Sequence, residues 1–86
     1  MNDSFVYRAI ITIEELSELS QALSKYVRYM FYDDSLRKDR IEIQEMIMEE
    51  LADVELCLGK FKKLMCIDET DINMIKEYKE KRVNHV

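Results

Sequence analysis

The sequence predicts an all-α domain: two long antiparallel helices plus a shorter C-terminal helix, completing a four-helix type of bundle by oligomerisation. Three observations carry that expectation. The 86 residues include one Gly and no Pro, too few chain breakers for the many tight turns of an all-β fold. Hydrophobic residues make up 48% of the chain and recur at three- and four-residue spacing over long runs. The length fits one domain over residues 1–86, and a core of that size supplies only about 3–5 kcal/mol, so association into a homodimer or homotetramer is expected.

The first helix is expected after the capping candidates Asp3 and Ser4, with Val6, Ala9, Ile10, Ile13, Leu16, Leu19, Leu23, Val27 and Met30 at helical spacing. It reads as one continuous helix or as a helix broken near Ile11-Thr12. Asp33-Asp34-Ser35 supplies a turn and an N-cap. A second helix follows on Ile43, Met46, Ile47, Leu51, Val54, Leu58, Phe61, Leu64 and Met65, interrupted but not ended by Gly59. Asp68-Glu69-Thr70-Asp71 then caps a shorter third helix. This one carries Ile72, Ile75 and Tyr78 on one side and closes on Lys79, Lys81 and Arg82, whose positive charge suits a helix C-terminus.

Charge and cysteine content narrow the function classes. Eighteen acidic against 13 basic residues give a net charge of −5, which argues against a nucleic-acid binder, because such proteins present a basic face to phosphates. No apolar run approaches the roughly 18 residues of a membrane span, and the N-terminal residues lack the basic flank of a signal peptide. Cys57 and Cys66 lie nine residues apart, roughly 13 Å if on one helix, too far for a disulfide within it. They read as small apolar residues in a reducing compartment, and a cytoplasmic location is expected.

Most helical carboxylates face solvent, but helical-wheel position sets a few apart. At about 100° per residue, Glu50 falls near the middle of the apolar arc formed by Ile43, Met46, Ile47, Val54, Cys57, Phe61 and Leu64. Asp53 lies at the edge of that arc. On the first helix Glu15 sits roughly 60° from the centre of the stripe Leu16, Leu19, Leu23, Tyr26 and Met30, with Glu18 a step further out and Glu14 further round again. Carboxylates directed into a core need a compensating cation. One source is a basic side chain, although Arg8, Lys25 and Lys60 reach only the margins of the apolar arcs. The favoured source is a divalent metal held by carboxylate pairs at i and i+3 on two antiparallel helices. An all-oxygen donor set selects Mg²⁺ or Mn²⁺ over zinc, and the single His, at position 85, excludes the Glu-x-x-His arrangement of di-iron bundles. Such a site takes phosphate oxygens as further ligands and points to phosphoryl chemistry. Lys79 and Arg82, with Lys60 and Lys25, are the expected phosphate partners; Lys79 and Arg82 fit equally well as ordinary partners of a helix C-terminus.

The strings Glu14-Glu15-Leu16-Ser17-Glu18 and Glu49-Glu50-Leu51-Ala52-Asp53 resemble the EExxE and ExxD halves of the all-α nucleoside triphosphate pyrophosphohydrolases. That MazG-like superfamily includes dimeric dUTPases, dCTP pyrophosphatases and phosphoribosyl-ATP pyrophosphohydrolase. Lys79-x-x-Arg82 is similar to a basic motif many members carry on a later helix, and the resemblance runs from about Ile13 to Arg82. It implies that Glu15, Glu18, Glu50 and Asp53 ligate Mg²⁺ and that Glu14 is a supporting group, a further ligand or the base that orients water. It further implies a nucleoside triphosphate as substrate, cleaved between the α and β phosphates by water, giving a monophosphate and pyrophosphate. With no activated Ser or Cys beside a His base, metal-assisted hydrolysis is the enzymatic mechanism these residues support.

The sequence departs from the family in lacking the Trp on which several members stack the base. Tyr26 and Tyr29, in a crowd with Phe31 and Tyr32, serve either as that platform or as core and interface contacts. The competing expectation is a non-catalytic helical module that dimerises through its apolar stripes and carries a vestigial metal site.

Overall fold

The computed structural model describes residues 3–32 and 40–84, and the expected Asp33-Asp34-Ser35 turn lies outside them. Among the described residues there are three helices: α1 (Asp3–Tyr32), α2 (Arg40–Leu64) and α3 (Glu69–Asn84). No strand occurs among the described residues.

The first helix is continuous through Ile11-Thr12. Thr12, buried and β-branched, keeps its hydroxyl satisfied within the helix by donating to the carbonyl of Arg8 at 2.7 Å. Asp3 and Ser4 fall inside the first turn of α1 instead of ahead of it. Gly59 sits within α2 without ending it.

The junction between α2 and α3 is built from backbone bonds and one capping side chain. The amide of Ile67 donates to the carbonyl of Lys62 at 2.9 Å and that of Cys66 to Lys63 at 3.1 Å, with Cys66 at φ 56°: a Schellman closure whose left-handed residue is not Gly. Asp68 then opens α3, its Oδ1 accepting the Thr70 amide at 2.8 Å, while Asp71 and Ile72 donate to its carbonyl. An ion pair between Lys62 and Glu69 spans the turn.

The first two helices pack on each other as a hairpin. The α2 seam follows the expected arc, with Ile43 and Val54 buried and Met46, Ile47, Glu50, Cys57, Phe61 and Leu64 half-buried. The seam of α1 is rotated from the expected stripe. Its buried residues are Thr12 and Ala22, flanked by the half-buried Arg8, Glu15, Leu19 and Tyr29, whereas Leu16, Leu23, Tyr26 and Met30 are exposed. The apolar arc of α1 is wider than one neighbouring helix can cover, so a stripe centred on the whole arc misplaces the part that α2 takes.

No Cα of α3 comes within 8 Å of α1 or α2 among the described residues, so α3 does not return onto the hairpin. The overall extents of 46 × 40 × 18 Å fit a hairpin with a third helix projecting from one end. The radius of gyration is 16.7 Å, against about 12 Å for a compact globule of this length. Cys57 and Cys66 are free thiols. Among the described residues no helix is long and apolar enough to cross a membrane.

Candidate functional site

Two i, i+3 pairs meet across the hairpin. Glu15 and Glu18 come from the middle of α1, Glu50 and Asp53 from the middle of α2, and one carboxylate oxygen from each lies within 4.8 Å of the others. The three-residue spacing stacks each pair on one side of its helix, and antiparallel packing sets the pairs opposite one another. Glu15 and Glu50 are half-buried at the centre of the seam; Glu18 and Asp53 are exposed at its edge, so the quartet opens to solvent on one side.

Charge is concentrated here without relief. The Oε2 atoms of Glu15 and Glu50 are buried with no hydrogen-bond partner among the described residues. The Lys62–Glu69 ion pair lies at the far end of α2, and among the described residues no basic side chain pairs with the quartet. Loss of hydration pushes the Glu15 carboxyl above the ordinary range, and the charges of Glu18, Asp53 and Glu50 add to the push. Glu50 is raised in the same way, by lost hydration first and then by Glu18 and Asp53, with Glu49 contributing. A hydrogen bond to Glu18 favours the protonated form of either acid. Four carboxylates that each bring one oxygen to the same point, two of them also carrying an unsatisfied buried oxygen, have the chemistry to hold a hard divalent cation.

The remaining expected site residues are placed variously. Glu14 is exposed and stands apart from the quartet. Lys25, half-buried and seven residues beyond Glu18, shares its side of α1 about 10 Å toward the 33–39 connection. Lys60, seven residues beyond Asp53, lies about 10 Å toward the other end. Lys79 and Arg82 are exposed on α3, and because α3 does not approach the hairpin, one chain does not bring them to its own carboxylates. Tyr26 lines a cleft of about 430 Å³ with Arg40, Gln44, Ile47, Met48 and Leu51, while Tyr29 lies in the α1–α2 seam and does not line it.

Sequence reasoning missed the neighbours of Lys60. Ser4, Tyr7, Arg8, Lys63 and Leu64 join it around a second cleft, of about 460 Å³. The signal was present as a seven-residue offset, since Arg8 precedes Glu15 by the interval at which Lys60 follows Asp53. Comparison with protein-family models, with curated proteins and with solved structures found no match.

Proposed function

We propose that the chain is a Mg²⁺-dependent nucleoside triphosphate pyrophosphohydrolase, working as a homo-oligomer and clearing non-standard or surplus nucleotides. The observation that carries the reading is the quartet itself: four carboxylates converging from two helices, two of them with buried oxygens that nothing in the described chain satisfies. Such an arrangement opposes folding unless a cation completes it. Glu15, Glu18, Glu50 and Asp53 would hold Mg²⁺ or Mn²⁺, which supplies charge neutralisation on phosphate oxygens and a more acidic bound water. The upward shift of the Glu15 and Glu50 carboxyls would be reversed on loading, with any protons they hold released to solvent. Glu18 and Asp53, on the open side, are the pair that an entering phosphate meets first.

Surface area supports the oligomer. The chain exposes 7437 Å², against about 5,400 Å² for a compact monomer of its mass. The excess is of the size that a protomer buries in a permanent assembly. Leu16, Leu23, Val27 and Met30 of α1, with Leu51 and Leu58 of α2, are exposed on the side of the hairpin away from Glu18 and Asp53, as rotation at about 100° per residue requires. In this reading that apolar side meets another protomer, and Lys79 and Arg82 serve the carboxylates of a neighbouring copy.

The deciding experiment measures pyrophosphate release from a panel of ordinary, deoxy- and damaged nucleoside triphosphates, with Mg²⁺ or Mn²⁺ against EDTA and with Glu50→Gln as the blank. Metal-dependent release by the wild type alone is expected. Absence of release from every member transfers the weight to a non-catalytic helical assembly module, which the exposed apolar side also supports.

A further inference from the structure

Lys60, already an expected phosphate partner, belongs to a second polar cluster with Arg8, whose place relative to the carboxylates the reading above leaves open. The cleft they share with Ser4, Tyr7, Lys63 and Leu64 lies between the first turns of α1 and the last turns of α2. Arg8 is half-buried, and Lys60 and Lys63 are exposed. Among the described residues none of these three cations has a carboxylate partner, although acidic residues are in excess over the whole chain. Three like charges at one mouth repel each other, and the start of α1 adds the positive end of its dipole. The carbonyls of Lys62 and Lys63 at the end of α2 already accept the amides of Ile67 and Cys66, so they do not answer that charge.

Register ties the cleft to the carboxylates. On antiparallel helices, seven residues back from Glu15 and seven residues forward from Asp53 lead toward the same end of the hairpin. The displacement is about 10 Å with a rotation of only about 20°, so the cations follow the acids along one side. A single phosphate does not span that distance. A chain of linked phosphates, met by the long Arg and Lys side chains, does.

We propose that this cleft binds a phosphate group, the distal one of a polyphosphate chain whose inner phosphates lie at the quartet; the assignment of the inner phosphates rests on the function proposed above. Arg8 supplies the planar fork that matches two phosphate oxygens, Lys60 and Lys63 supply charge, and the Tyr7 hydroxyl supplies a further donor. The cleft would thereby favour triphosphates over shorter phosphate chains.

The test is calorimetric titration of the full chain with inorganic tripolyphosphate, first in EDTA and then with Mg²⁺. Arg8→Gln and Lys60→Gln are compared with Lys76→Gln, an equal charge change on α3, with helicity checked by circular dichroism. In EDTA, Arg8→Gln and Lys60→Gln are each expected to weaken binding by about tenfold and Lys76→Gln to leave it unchanged. Equal affinity across all the proteins, or no binding by the wild type, overturns the proposal. A parallel titration with inorganic phosphate separates the sources: weaker binding than tripolyphosphate supports a linked chain, and equal binding overturns it. Tightening by Mg²⁺ in the wild type but not in Glu50→Gln reports on the quartet. Its absence, with the EDTA result intact, sinks the metal reading and leaves the phosphate cleft standing.

Discussion

Glu15 and Glu50 face each other across the α1–α2 seam, each with its Oε2 buried and without a hydrogen-bond partner among the described residues. Two acids set against each other in this way hold the hairpin in tension between packing and charge. Either protons or a cation relieves it, and the predictions below follow from which one does.

Glu50→Gln removes one charge from the quartet and keeps its shape. Metal-dependent hydrolysis is expected to fall by at least about a hundredfold, because a ligand at the centre of the site is lost. Thermal stability of the metal-free chain at neutral pH is expected to rise, because the other three carboxylates lose a repelling neighbour. A fully active variant, or one less stable than the wild type in EDTA, contradicts the role assigned to Glu50.

The pH dependence has a definite sign. Folding raises the Glu15 and Glu50 carboxyls above their ordinary value of 4.5, so over the interval above that value the folded chain holds more protons than the unfolded one. Stability from these two groups therefore falls as pH rises through that interval and is retained below it. Urea denaturation in EDTA across pH 4.5 to neutrality is expected to show this decline for the wild type, a flatter profile for Glu15→Gln/Glu50→Gln, and a smaller decline with Mg²⁺ present. Parallel profiles for wild type and variant would remove these two acids as its origin.

The exposed apolar side can be tested apart from catalysis. Leu16→Asp and Leu51→Asp each put a charge on that surface, away from the buried seam residues Ile43 and Val54. Light scattering after size-exclusion chromatography is expected to show an oligomer for the wild type and a shift toward monomer for either variant. A monomeric wild type at tens of micromolar would refute the assembly.

Two substitutions on α2 set the scale of the fold's own stability. Ile43 is 2% exposed, and Ile43→Ala is expected to cost about 2–5 kcal/mol. An added Cβ at Gly59 meets no atom within 4 Å, so Gly59→Ala is expected to stabilise the helix by about 0.5–1 kcal/mol. Urea unfolding measures both. A destabilised Gly59→Ala chain would mean that another protomer approaches α2 closely at that point.

Legibility in the sequence followed the range of the interaction. The Asp68 cap was readable because a capping side chain acts on amides two or three residues away. Glu50 was readable because a charged residue in the middle of an apolar arc is anomalous on its own helix. The left-handed turn at Cys66 was not, since the closure uses neither Gly nor Asn. The seam of α1 was misplaced because its apolar arc serves more than one surface. The cleft of Arg8 and Lys60 depends on how α1 and α2 are aligned across residues 33–39, which neither helix encodes by itself.

The isolation of α3 divides the chain into parts that open at different free energies. At 16 residues, α3 is close to the length at which a helix without neighbours is marginal in water, and its support is the Asp68 cap and the Lys62–Glu69 pair. Its amides should exchange with solvent through local fraying, while those around Ile43 and Val54 wait for the hairpin to separate. Two exchange regimes in so short a chain would mark α3 as an arm, free to fold onto whatever surface a neighbouring molecule offers.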